Sequence, residues 1–316
     1  GSAVAGEDYI ATRARLEIAE GGREAFLDVQ LIGDAVPEPD ETFFVRVSNV
    51  EGASVERGEA TGTIRNDDIV LVPIHAIQGS GSTSPLEGQV VVTEGIVTAR
   101  RSNGFFLQTA DGEDDGDPAT SEGLFVFTGS TVFPAVEVGN RVRVSGRVVE
   151  FVPASAPNQR PITEITGGGG VSVQVSLRAS NQPLPAAVPL RAEDLAAGGP
   201  LEALERYEFM RVATGPLVTV APSGAFLNER TATVTGSDGI FFAVRAGVPR
   251  PFREPGIPVT DVIAASAPAG VPRFDTNPER LRIDSDGQLG ATRAVADADT
   301  PLPSLTGVLD YGSGVY

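Results

Sequence analysis

Apolar and polar residues alternate with a period of two in short runs along the chain, and turn-forming residues separate the runs. In residues 25–32, Leu27, Val29 and Leu31 share one face, while Asp28 and Gln30 share the other. In 42–47, Phe43, Val45 and Val47 again point one way. Residues 14–18 and 60–64 form two shorter runs of the same kind. One apolar and one polar face on each run is the pattern of an antiparallel sandwich. Between 70 and 170, strands are predicted at 89–99, 104–108, 123–127, 141–151 and 161–165, joined by polar turns and without a helix. In 141–148, Val142, Val144 and Val148 face inward, and Arg141, Arg143, Ser145 and Arg147 face outward. Five short strands in so short a stretch predict a small barrel, with the OB-fold as the natural candidate. Beyond the glycine run 167–170, two helical turns are predicted at 201–207, where Pro200 suits the helix start. Strands are predicted at 209–213, 217–220, 232–235, 240–245, 280–283 and 305–309. The expected fold class is all-β: a partial sandwich over 1–69, an OB-fold barrel over 70–170 and a second OB-like β-domain over 171–316.

Composition agrees with short strands and many turns, since Gly (37) and Pro (24) are abundant among the 316 residues. It also removes whole classes of chemistry. Without Cys there is no disulfide framework, cysteine nucleophile or thiolate metal site. A single His, His75, rules out a mechanism that needs two imidazoles. His75 has no acid or nucleophile beside it in sequence and reads as structural. No Ser-His-Asp order and no phosphate-cradling glycine loop followed by Lys is present, so no catalytic residue is assigned. No apolar run approaches the 18 residues of a membrane span. The lack of Cys is compatible with an oxidising, extracellular setting. Both ends fall inside strand-like patterns, so the sequence is expected to be part of a longer chain.

The net charge of −18 is unevenly spread: residues 1–68 hold 15 acidic residues and 6 Arg, half of the excess. Self-repulsion at that density is relieved if a cation binds. Three acidic stretches there could meet at one end of a sandwich, around Asp8, around Asp34, Glu38 and Glu41, and at Asp67 and Asp68. Such residues offer the hard oxygens that Ca²⁺ takes, although solvated acidic turns give the same pattern. A second acidic loop, 111–117, spaces acids at alternate positions; Asp111, Glu113, Asp115, Asp117 and Glu122 are its candidate ligands, with a solvated hairpin loop as the other reading. For nucleic acid, Arg100, Arg101, Arg141, Arg143 and Arg147 with Phe105 and Phe106 would supply charge and stacking, against a default in which the arginines are a solvated strand face.

Gly6-Glu7-Asp8-Tyr9, Ile32-Gly33-Asp34, Glu38-Pro39-Asp40-Glu41-Thr42-Phe43, Val47-Ser48-Asn49 and Gly62-Thr63-Ile64-Arg65-Asn66-Asp67-Asp68 occur in an order that resembles a Calx-β domain. The resemblance implies a sandwich that binds Ca²⁺ at one end, through Asp8, Asp34, Glu38, Glu41, Asp67 and Asp68. Gly33 and Asn66 stand where strongly calcium-binding members have Asp. The family's first two strands are expected upstream of Gly1, which would leave an unpaired edge open to strand donation by another copy. Ile77-Gln78-Gly79, Ser84-Pro85-Leu86-Glu87-Gly88, Gly104-Phe105-Phe106-Leu107-Gln108 and Asp117-Pro118-Ala119-Thr120-Ser121-Glu122-Gly123 resemble the OB-fold domain of large secreted bacterial nucleases of the endonuclease/exonuclease/phosphatase superfamily. Leu201-Glu202-Ala203-Leu204-Glu205-Arg206-Tyr207-Glu208 and Leu305-Thr306-Gly307-Val308-Leu309-Asp310-Tyr311 are similar to the second β-domain of those proteins. The resemblance implies an extracellular, calcium-binding accessory region whose parent cleaves extracellular DNA or RNA. The alternative is a protomer of an extracellular fibre joined by strand exchange.

Overall fold

The structure is a computed structural model, described here for residues 1–34, 38–66, 68–157, 159–196, 201–227, 235–248, 279–312 and 314–316. It is all-β, as the alternation predicts, and divides into two compact units, Gly1–Val70 and Leu71–Tyr316.

In the first unit, β1 (Glu41–Arg46) and β2 (Glu59–Ile64) pair antiparallel, with Phe43 opposite Gly62 and Val45 opposite Ala60. The Tyr9 ring stacks on Phe43 at 5.1 Å. Residues 25–32 do not form the expected ladder. Their alternation persists, with Leu27 and Val29 half-buried and Asp28 and Gln30 exposed, but among the described residues the one bridge is Tyr9 to Leu31. Two backbone bonds, Ile10 N–H to Gln30 O and Ile32 N–H to Asp8 O, hold the segment. Residues 14–18 likewise pair with nothing among the described residues. The cause is physical: an alternating run becomes a strand only when a neighbour offers a row of backbone partners. Apolar side chains are left exposed as a result, including Phe26, Ile18 and Val47.

The second unit opens with a short helix, α1 (Ile74–Gln78), that the strand pattern did not predict. It is followed by β3 (Val90–Arg101), β4 (Gly104–Gln108), β5 (Gly123–Phe127), β6 (Arg141–Phe151), β7 (Ile162–Thr166) and β8 (Gln174–Ala179). Five of these close into a barrel in the order β3-β4-β5-β7-β6, with β6 returning to β3. All pairs are antiparallel except β5 with β7. β3 serves two neighbours because it is long and bulged: residues 90–96 pair with β6, and after an irregularity between Val97 and Ala99 the strand continues along β4. Val142, Val144 and Val148 fill the interior with Phe105, Leu107, Leu124, Val126 and Ile165, as the alternation predicts, and Ile74 and Ile77 of α1 belong to the same core. β8 adds to the free side of β6.

Further along are β9 (Val188–Pro189), a 3₁₀ helix at Leu201–Tyr207, β10 (Arg211–Ala213), β11 (Leu217–Ala221), β12 (Ala225–Leu227), β13 (Thr235–Ser237), β14 (Ile240–Arg245), β15 (Leu281–Asp284), β16 (Pro301–Leu302) and β17 (Thr306–Val308). They form a three-stranded sheet β17-β10-β9, a four-stranded sheet β15-β14-β11-β16 and the hairpin β12-β13. Most of the predicted strand 232–235 lies outside the described residues. A second core gathers Leu204, Tyr207, Met210, Val212, Leu281, Leu309, Tyr311 and Tyr316. A third, made of Ala99, Phe106, Phe125 and Phe209, joins the outer face of the barrel to the stretch after the 3₁₀ helix. Phe105 and Phe106 are therefore both core, in different cores. Gly123 permits this junction: a Cβ there would meet the backbone of Phe209, Met210 and Glu208.

Candidate functional site

The start of the chain and the loop before β1 bring Asp8, Glu38 and Glu41 together, with one carboxylate oxygen from each inside a 4.8 Å group. Asp8 is fixed by the Val4 N–H, which donates to Oδ2 at 2.6 Å. Partial desolvation raises the Glu41 pKa, and a hydrogen bond and repulsion from Asp8 add to it, followed by repulsion from Glu38 and Glu7. Three carboxylates this close together are a donor set that suits a hard dication. Asn66 ties the loops together. Its Oδ1 accepts from the N–H groups of Glu38 (3.4 Å) and Asp68 (3.1 Å), and its own N–H donates to Asp40 Oδ1 at 3.0 Å. Asn66 is thus a brace between the loops. Asp34 is exposed and Asp68 half-buried, and neither joins the group of three. Asp67 lies outside the described residues.

The acidic loop 111–117 does not converge as a set. Asp111 accepts from the Ala186 N–H at 2.9 Å. Glu113 makes a two-pronged bond with Arg141. Asp117 caps the Ala119 N–H at 2.9 Å. Asp115 and Glu122 do meet, but around His75, which spacing alone marked as merely structural. His75 Nδ1 lies 3.0 Å from Glu122 Oε1 and 4.0 Å from Asp115 Oδ2. Glu122 is buried and also accepts from Thr109 Oγ1 and the Asp115 N–H. Hydrogen bonds from the Asp117 N–H, which contributes most, and from Thr120, together with the attraction of His75, hold the Asp115 carboxyl below the usual carboxylate range. A nitrogen donor fits Ca²⁺ poorly, and the His75–Glu122 hydrogen bond satisfies both groups without an ion. The loop borders a cleft of about 520 Å³, with Arg191, Arg206 and Tyr207 in its wall.

The arginines proposed for nucleic acid are largely spent on internal acids. Glu94, opposite Arg143 in the register of β3 and β6, pairs with Arg143 at 2.7 Å, Arg141 at 3.3 Å and Arg178 at 3.3 Å. Arg100 pairs with Glu137 at 2.7 Å and Arg101 with Asp310 at 2.7 Å. Arg147 donates to the Gly88 carbonyl. A phosphate backbone therefore meets little uncompensated positive charge on this ladder.

The acidic cluster sits in the segment where comparison with known families is informative. Residues 1–68 match the Calx-beta domain. The matched Calx-beta segment covers about a fifth of the 316 residues and contains Asp8, Glu38 and Glu41. No curated protein and no solved structure matches the chain. Among the described residues, no helix is long and apolar enough to cross a membrane.

Two groups of titratable residues were not foreseen. Glu150, Glu205, Glu208 and Asp310 are each pushed up in pKa chiefly by burial, with Arg160 held at 3.0 Å from Glu205. Glu164 is pushed up to about 7 by burial alone. They lie in strands (Glu150, Glu164), in the 3₁₀ helix (Glu205) or just after an element (Glu208, Asp310), where a single acid reads as solvent-facing, so nothing in the sequence marks them.

Proposed function

We propose that this chain is a non-catalytic, calcium-binding accessory region of a secreted protein, and that its Calx-beta segment is ordered by Ca²⁺ held between Asp8, Glu38 and Glu41. The observation that carries the reading is the convergence of those three carboxylates from two separated stretches, in a segment that matches a family whose members bind Ca²⁺. When bound, the ion would cancel the repulsion that raises the Glu41 pKa and would clamp the first residues to the loop before β1. The strand order of the barrel, 1-2-3-5-4 returning to 1, supports reading it as an OB-fold, in line with its likeness to the accessory domains of secreted bacterial nucleases. Its arginines are turned to internal acids, so the proposed task is positioning or presenting a downstream nuclease domain rather than gripping DNA directly.

Titration calorimetry of the full chain with Ca²⁺ tests this, together with thermal unfolding in chelator. Binding that raises the first melting transition supports the reading; no heat and an unchanged melting curve overturn it. A nuclease assay of the same chain with Mg²⁺ should show no cleavage, and cleavage would refute the accessory role.

A second reading, self-association, is favoured by the exposed apolar residues Phe26, Ile18 and Val47 beside a sheet of only two strands. Light scattering separates the two: a concentration-independent monomer dismisses self-association.

A further inference from the structure

The outer face of the barrel carries a row of side chains in register across four strands. Ala99 of β3 opposes Phe106 of β4, Phe106 opposes Phe125 of β5, Phe125 lies beside Glu164 of β7, and Glu164 opposes Val149 of β6. The first three residues are closed over by Phe209. The row then opens into a cleft of about 1100 Å³, whose wall includes Phe125, Phe127, Val149, Phe151 and Glu164 on one side and residues from the C-terminal strands on the other. Glu164 is only 5% exposed.

The charges on this wall are unequal in their partners. Arg101 pairs with Asp310 at 2.7 Å, Arg282 with Asp284 at 3.4 Å, and Arg160 with Glu205 at 3.0 Å. Glu164 alone makes no hydrogen bond or ion pair with any described residue, although it is buried among aromatic rings. A carboxylate taken out of water without a partner is costly. Burial holds its pKa near 7, so a cation nearby would restore the charge. The surrounding ring faces also favour positive charge, and Arg101 already lies over Phe106 at 5.4 Å. The chain has no Lys. An ammonium group supplied by a side chain therefore has to come from another molecule.

We propose that this cleft binds a small organic ammonium compound, with Glu164 as the counter-ion for the amine and the Phe125, Phe127 and Phe151 rings around its apolar body. The site is independent of the calcium reading and uses none of the calcium residues.

The test uses three probes with the same apolar body: hexylamine, hexanol and hexanoate, titrated into the full chain at pH 8 and followed by saturation-transfer NMR. Hexylamine should bind at least about tenfold tighter than hexanol, and hexanoate more weakly than either. In Glu164→Gln the preference for the amine should disappear, while hexanol binding is retained. Retained hexanol binding shows that the cleft is still formed. Equal binding of the three probes, a preference that survives Glu164→Gln, or no binding of any probe at millimolar concentration would each overturn the proposal.

Discussion

Glu41 and Glu164 are both carboxylates that hold protons more tightly than usual, yet they answer to different surroundings. At Glu41, neighbouring acids add to partial desolvation, and the proposed Ca²⁺ would relieve that repulsion. Asp8→Asn removes one of three charged donors, and the Ca²⁺ affinity is expected to fall about tenfold or more by calorimetry. At Glu164 the cause is burial alone, so the effect shows in stability. The unfolded chain has the ordinary value of 4.5, and the folded chain about 7. Below about pH 4.5 the group is protonated in both states and contributes nothing. Between those values ionisation progressively favours the unfolded chain, and above about 7 the full cost is present, on the order of 3 kcal/mol. Glu164→Gln is therefore expected to stabilise the protein at pH 8 and to leave it unchanged near pH 4, as read by urea unfolding at the two pH values.

At the scale of elements, the junction between β5 and the turn after the 3₁₀ helix matters most. Phe209 is fully buried against Phe106 and Phe125 at 5.7 and 5.9 Å, and holds a left-handed backbone with φ of 59°. Phe209→Ala should cost about 3–5 kcal/mol, since the three-ring cluster cannot close over the gap. Gly123→Ala should destabilise through a backbone clash at the same contact, a loss measurable as a lower Tm of the second unit. Strands 104–108, 123–127, 141–151 and 240–245 were legible to the residue, because 141–151 alternates and the other three are short apolar runs, and each meets a paired neighbour. Residues 25–32 alternate just as clearly and form no ladder, because pairing is a property of two segments and alternation of one. The acidic tip at Asp8, Glu38 and Glu41 was legible through motif order. His75 was not, since its acids lie 40 and 47 positions away. Glu164 was not, because Ile-Thr-Glu-Ile-Thr reads as any strand with one wet face.

For the whole molecule, the division into two compact units, with the buried cores of the described residues all in Leu71–Tyr316, implies two unfolding steps. Chelator should lower the step that belongs to Gly1–Val70 and leave the other in place. Differential scanning calorimetry checks this; a single transition that shifts as one would contradict it. Raising the pH from 5 to 8 should instead weaken the second unit, where Glu150, Glu164, Glu205, Glu208 and Asp310 all resist ionisation. On the calcium reading, the two units should then respond to different solution variables.

Closure of the barrel bears on how quickly its amides meet solvent. β3 is paired along its length by β6 and then β4, and β6 is bonded to β3, β7 and β8. No strand of the five ends the sheet, so no N–H row can peel away without breaking the ring. Deuterium should enter the central residues of β3 and β6 last of all and at the rate of global opening, long after it has replaced the protons of β1 and β2.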